Sequence, residues 1–222
     1  MNTMSLPAPL RALLFASMGA LATAMLLSLW DAAAHAEQPV LWWASRASGF
    51  VAYGALALSV LFGVLISSKG AGGLLSKKAA MDLHQQWTLS AVVASVVHVV
   101  TVVGHAESGV SAWAAFVPFA SATLTGPVAL GTVAFVGLVV IAASSWLRKH
   151  VPFAAWRAIH ALAFGVMVLG MLHGITSGTS TASLAAQWLY ILTGATLVGA
   201  ITMRVLVALA DGRHAEARHP AR

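Results

Sequence analysis

Four histidines stand where histidine needs a reason. His84 and His98 lie fourteen positions apart in DLHQQWTLSAVVASVVHVV, and His160 and His173 lie thirteen apart in AIHALAFGVMVLGMLHGI. Both stretches are otherwise apolar, and ionisable side chains at membrane depth are costly and signal function by default. Fourteen residues of α-helix rise about 21 Å in about 3.9 turns, so His84 and His98 fall near one face at two depths. Thirteen residues rise about 19.5 Å. If the two segments run parallel, with one antiparallel segment between them, His84 can face His160 and His98 can face His173.

Two imidazoles opposed across a helix gap, at two levels, suit haem: the macrocycle fills an apolar slot and the iron takes one axial nitrogen from each side. With both axial positions filled, such an iron favours electron transfer over binding at the metal. The alternatives are histidines that only hydrogen-bond between helices, and zinc or copper. A metal of that kind would have only two ligands at each level, without carboxylate or thiolate help. One detail resists. Thirteen residues of regular helix turn through roughly 220° net, so His160 and His173 need either a wide turn in their span or tilt and side-chain reach.

The elements that must carry these residues follow from composition. Of the 222 residues, 59% are hydrophobic and 8% charged, and the mean hydropathy is +0.87. A soluble domain carries roughly 25% charged residues, so the chain is expected to be an integral membrane protein with lipid as its partner. There is no cysteine, which excludes disulfides, thiolate ligands and iron–sulfur clusters. Six stretches reach the roughly 20 apolar residues of a span, at about 10–30, 41–66, 84–103, 128–147, 153–175 and 184–209.

If six spans alternate, eleven of the twelve basic residues fall on one side, and Arg46 alone falls on the other. The positive-inside rule then places both termini in the cytoplasm. The net charge of +6 reports this bias, and no nucleic-acid partner is expected. Residues 1–36 read as a first span, with a signal peptide cleaved after Ala36 as the alternative. Residues 37–210 form the remaining membrane domain, and 211–222 a short polar cytoplasmic tail.

These residues resemble the ferric-reductase-like transmembrane domain of ferric reductases, NADPH oxidases and a bacterial methionine-sulfoxide-reductase membrane subunit. The likeness runs over about 41–180: WWASRASGFVAYGALALSVLFGVLISS, FVPFAS, WRAIHALAF and MLHGITSGT, with the fourteen and thirteen histidine spacings. It implies two b-type haems between the third and fifth spans, the inner held by His84 and His160 and the outer by His98 and His173. It also puts Arg46 at the family's second-span arginine, where an outer haem propionate would be a suitable partner and simple snorkelling to the interface is the alternative. The sequence departs from the family at Gln85, where relatives often have a basic residue, and at LTGP before the fourth span.

The reductases of that family continue into a flavin and nicotinamide domain, whereas this sequence closes on DGRHAEARHPAR with no dinucleotide fingerprint. The expectation is therefore an all-α six-helix bundle acting as a membrane electron-transfer subunit in a bacterial cytoplasmic membrane. Its donor would be a flavoprotein reductase or a quinol, with FMN or quinone as further cofactors in view. Its extracytoplasmic acceptor would be ferric iron, oxygen or a periplasmic reductase. The rival is a haem-free transporter or assembly protein using histidines for proton or metal passage. His105, seven residues beyond His98, reads as an interfacial histidine, with an alternative outer ligand or a proton-handling residue as the other readings. Phe164 and Met167 read as core residues between the two levels.

Overall fold

A computed structural model describes residues 40–67 and 75–218. The expected first span and the start of the 37–210 domain lie outside the described residues. Six α-helices follow: α1 (Val40–Ser67), α2 (Lys77–Gly104), α3 (Thr125–Trp146), α4 (Phe153–Ala161), α5 (Ala163–Ser177) and α6 (Leu184–Arg218). Short 3₁₀ turns link them, and no strand occurs among the described residues.

Local chemistry sets the helix ends. The Ser76 hydroxyl accepts from the Ala79 N–H at 3.1 Å and so caps α2. The Ser183 hydroxyl does the same for α6 through Ala186. Pro127 sits in the first turn of α3, where its missing N–H leaves no helix bond unmade. The loop entering α3 contains two non-glycine residues with left-handed backbone, Phe119 (φ 66°) and Leu124 (φ 44°). Such backbone costs an L-residue about 1–2 kcal/mol, so this turn is held by its surroundings.

Four helical segments are long and apolar enough to cross a membrane: α1, α2, α3 and the combined α4–α5 stretch Phe153–Ser177. A shorter apolar stretch, Leu184–Gly199, opens α6, whose backbone helix runs on to Arg218 through the start of the expected polar tail. The outward faces are apolar too. Leu89, Val93, Val96, Val97 and Val100 form an exposed stripe on α2, and Val133, Val136, Val139 and Val140 another on α3. Soluble monomers rarely expose apolar patches of this extent. The fold is a multi-pass membrane bundle.

The helices pack in two principal pairs, α1 on α2 and α3 on α5, and α1 also touches α5 and α6. The histidine-bearing helices on the two sides, α2 on one and α4 with α5 on the other, have no comparable backbone contact with each other. A gap therefore separates them, and small residues let each pair close tightly. Met167 and Ala91 are fully enclosed near mid-depth, in a core shared with Leu56, Leu138 and Ile141.

The span carrying His160 and His173 contains no wide turn. It breaks at Leu162, directly after α4, where the Leu162 N–H reaches Ile159 O at 3.1 Å in a tight i→i−3 turn. The thirteen-residue interval is therefore not one regular helix, and both rings meet residues of the same neighbouring helix, α2.

Candidate functional site

The histidines meet in the pairs their depths suggest. The His84 and His160 ring centres are 5.9 Å apart with planes at 69°, and those of His98 and His173 are 6.1 Å apart at 78°. We call the first pair the inner level, after the adjacent basic end with Lys77, Lys78, Arg148 and Lys149, and the second the outer level.

Each ring is held from behind. The Nδ1 of His98 lies 2.7 Å from the carbonyl oxygen of Ser45, that of His84 lies 2.8 Å from Ser59 O, and that of His173 lies 2.8 Å from Pro127 O. A carbonyl oxygen only accepts, so Nδ1 carries the proton in these three rings and Nε2 keeps its lone pair. This is the outer-shell arrangement that orients metal-binding imidazoles and raises their basicity.

Glycines give three of the rings room. A β-carbon on Gly49 would lie 3.0 Å from the His98 ring, one on Gly63 3.3 Å from the His84 ring, and one on Gly131 2.7 Å from the His173 ring. The seats share one pattern: a carbonyl at position i and a glycine at i+4. They are Ser45 with Gly49, Ser59 with Gly63, and Pro127 with Gly131. The two seats on α1 are fourteen residues apart, the same as His84 and His98, and run antiparallel to them. The Ser59 hydroxyl adds contacts to His84 Nδ1 at 3.1 Å and to Thr88 Oγ1 at 2.6 Å.

His160 is held differently. Its Nδ1 lies 3.4 Å from the Ser145 hydroxyl, and that same oxygen accepts from the Trp156 indole N–H at 3.3 Å. The Trp156 ring stacks on the imidazole with centres 5.1 Å apart at 24°. The Arg148 guanidinium lies over the other part of this cluster, 4.6 Å from the Trp156 ring centre.

Sequence reasoning named the four rings and missed everything behind them. The signal was present: SRASG at 45–49 and SVLFG at 59–63 repeat Ser-x₃-Gly at the histidine interval. Carbonyl acceptors leave no mark in a sequence, and Ser145 stands out only once α3 is laid against α4.

A cavity of about 400 Å³ surrounds the outer level, lined by Gly49, Phe50 and Tyr53 of α1, Val99 of α2, Phe135 of α3 and Gly170 of α5, among others. That lies within the usual size of cofactor sites. Arg46 is at its rim. It donates to the Ser180 hydroxyl, and its guanidinium lies 4.8 Å from the Trp43 ring centre. His105 is buried but joins neither pair. Its backbone N–H closes α2, and its ring lies 5.5 Å from that of Trp42. Phe164 and Met167 belong to the core between the levels.

The donor set at each level is two imidazoles. Among the described residues, no three His, Asp or Glu side chains converge. Two imidazoles on opposite faces of one metal ion, at about 2.0 Å per metal–nitrogen bond, would have ring centres roughly 6.4 Å apart. The observed separations lie within about half an ångström of that figure, and fixed tautomers leave Nε2 free in three of the rings. Two imidazoles at this separation could hold a metal-centred cofactor between them, and at the outer level the cavity adds room for one.

This is a multi-pass helical membrane protein whose interior carries two facing pairs of histidines. The chain belongs to the family described as Domain of unknown function (DUF8596), whose model matches residues 40–180. That stretch opens with α1 and closes at Ser180, so it contains all four rings, their seats, and the Arg46–Ser180 contact. No curated protein and no solved structure matches the chain.

Proposed function

We propose that this protein is a di-haem b-type cytochrome that moves electrons across a bacterial cytoplasmic membrane, with the basic end facing the cytoplasm. The observation that carries the reading is the pairing of the four histidines at two levels, with ring centres 5.9 and 6.1 Å apart. The resemblance to ferric-reductase-like domains supports it. When bound, a haem at each level supplies a one-electron couple.

The protein's own part is placement. His84 and His160 would hold the inner group, and His98 and His173 the outer one. Ser45, Ser59 and Pro127 accept the Nδ1 protons and keep Nε2 free for the metal. Met167 and Ala91, enclosed between the levels, keep water out of the interval. Arg46, at the outer rim, places a cation where a carboxylate of the cofactor could pair with it. In this reading a cytoplasmic flavoprotein reductase or a quinol supplies electrons, and ferric iron, oxygen or a periplasmic reductase receives them.

The test is a reduced-minus-oxidised absorption spectrum of the detergent-purified protein, with haem counted per chain. Two low-spin b-type haems per chain is the expected result. Colourless protein after expression with ample haem would overturn the reading and favour a transporter that uses the histidines for protons or metal.

A further inference from the structure

The three well-seated histidines define a rule that the fourth breaks, and the break falls at an identifiable residue. On α1 the seats are Ser45/Gly49 and Ser59/Gly63, fourteen residues apart. On α3 the first seat is Pro127/Gly131. Fourteen residues further on, the fourth seat would be Ile141 for the carbonyl and Ser145 for the glycine. Position 145 carries a side chain instead, and its hydroxyl occupies the neighbourhood of His160 Nδ1 at 3.4 Å. The Ile141 carbonyl accepts from the Ser144 hydroxyl at 2.9 Å.

Accepting on the proposed di-haem reading, the geometry points to Ser145 and Trp156 as the positioning residues of His160, and to an inner site with the higher reduction potential of the two levels. The reasoning is electronic. An Nδ1–H donating to a strong acceptor gives the imidazole imidazolate character and makes it a better donor to oxidised iron. That lowers the reduction potential, one of the levers a protein has over a haem. Both outer rings donate to backbone carbonyls, at 2.7 and 2.8 Å. At the inner level only His84 does.

His160 has a hydroxyl oxygen at greater distance, and that oxygen is already engaged by the indole N–H of Trp156 at 3.3 Å. Being an acceptor from Trp156 leaves it one lone pair for His160, and the stacked indole fixes the ring plane that the missing seat would otherwise fix. Each level has one nearby arginine, Arg148 over the indole at the inner level and Arg46 at the outer, so the difference between the levels rests on the Nδ1 acceptors.

Spectroelectrochemistry of the purified holoprotein tests this, because the two haems should give two one-electron waves and one serves as control for the other. Ser145→Ala removes the acceptor and should raise one midpoint only. Ser145→Gly rebuilds the seat, letting the ring settle toward the Ile141 carbonyl, and should lower that same midpoint. The ratio of reduced to oxidised inner haem at a fixed potential should change by on the order of tenfold between the two variants, about 59 mV for a one-electron couple. Trp156→Phe keeps the stack and frees the Ser145 oxygen from its competing N–H donor, so it should lower that midpoint below wild type, in the same direction as Ser145→Gly.

A structural role alone would move both waves, or move Ala and Gly variants in the same direction. Either result overturns the assignment, as does a wild-type inner wave at the lower potential. Absence of haem from the wild-type protein would sink the di-haem reading itself, an outcome distinct from these.

Discussion

The outer and inner levels use the same side chains at nearly the same separation, yet they are built to different standards. At the outer level both rings rest on glycine and both donate to a backbone carbonyl. Backbone acceptors belong to helices and cannot change rotamer, so the site is held as rigidly as the bundle itself. At the inner level one ring is seated this way, more loosely over Gly63, and the other depends on the rotamers of Ser145 and Trp156. The inner level is therefore the adjustable one, and it lies beside the basic end, where a cytoplasmic donor would approach. Rigidity has been placed at the far end and adaptability at the near one.

The hardest way to break this comparison is to remove a ligand. His98→Ala should abolish the outer haem and leave the inner, so that haem per chain falls from two to one by pyridine haemochrome assay. His84→Ala should do the reverse. Because the core around Met167 joins both levels, each variant should be checked for monodispersity in detergent. Unchanged haem content in His98→Ala would remove His98 from the ligand set.

The glycines sharpen the comparison, since the distances rank them. A methyl at Gly131 would meet the His173 ring at 2.7 Å, at Gly49 the His98 ring at 3.0 Å, and at Gly63 the His84 ring at 3.3 Å. Alanine at these sites should weaken haem retention in the order 131, 49, 63. The first should cost about 10–100-fold in affinity, the range found when outer-shell partners of a metal ligand are disturbed. The third should cost little, because a few tenths of an ångström of ring movement absorbs the contact. Haem loss to apomyoglobin measures all three, and an inverted order would show that the glycines serve helix packing rather than ring placement.

Much of this architecture was legible beforehand, and the boundary is instructive. Composition and span length fixed the membrane class, and the depths of His84, His98, His160 and His173 predicted which rings would face each other. Those inferences need only helix rise, which is nearly constant. The thirteen-residue interval could not be resolved, because the break at Leu162 has no proline or glycine at that position to announce it. The seats escaped notice because they are backbone atoms, and because a serine–glycine repeat in an apolar helix reads first as a close-packing device. Arg46 was singled out by charge, but its partner Ser180 lies 134 residues away and only the fold brings them together.

The smallest effects should come from the two arginines, and they separate the levels by solvent access. Arg46 is half-buried between Trp43 and Ser180, whereas Arg148 is exposed over Trp156. Replacing either with glutamine removes one positive charge near one level and should lower that level's midpoint while leaving haem content at two per chain. The charge at Arg148 faces water, where ions screen interactions beyond about 10 Å at 0.1 M salt and about 3 Å at 1 M. The shift produced by Arg148→Gln should therefore shrink as salt is raised between those limits. The shift produced by Arg46→Gln should fade less, because Arg46 is half-buried against Trp43 and Ser180. If both shifts fade equally with salt, Arg46 is as open to solvent as Arg148, and the contrast in exposure between the two arginines fails.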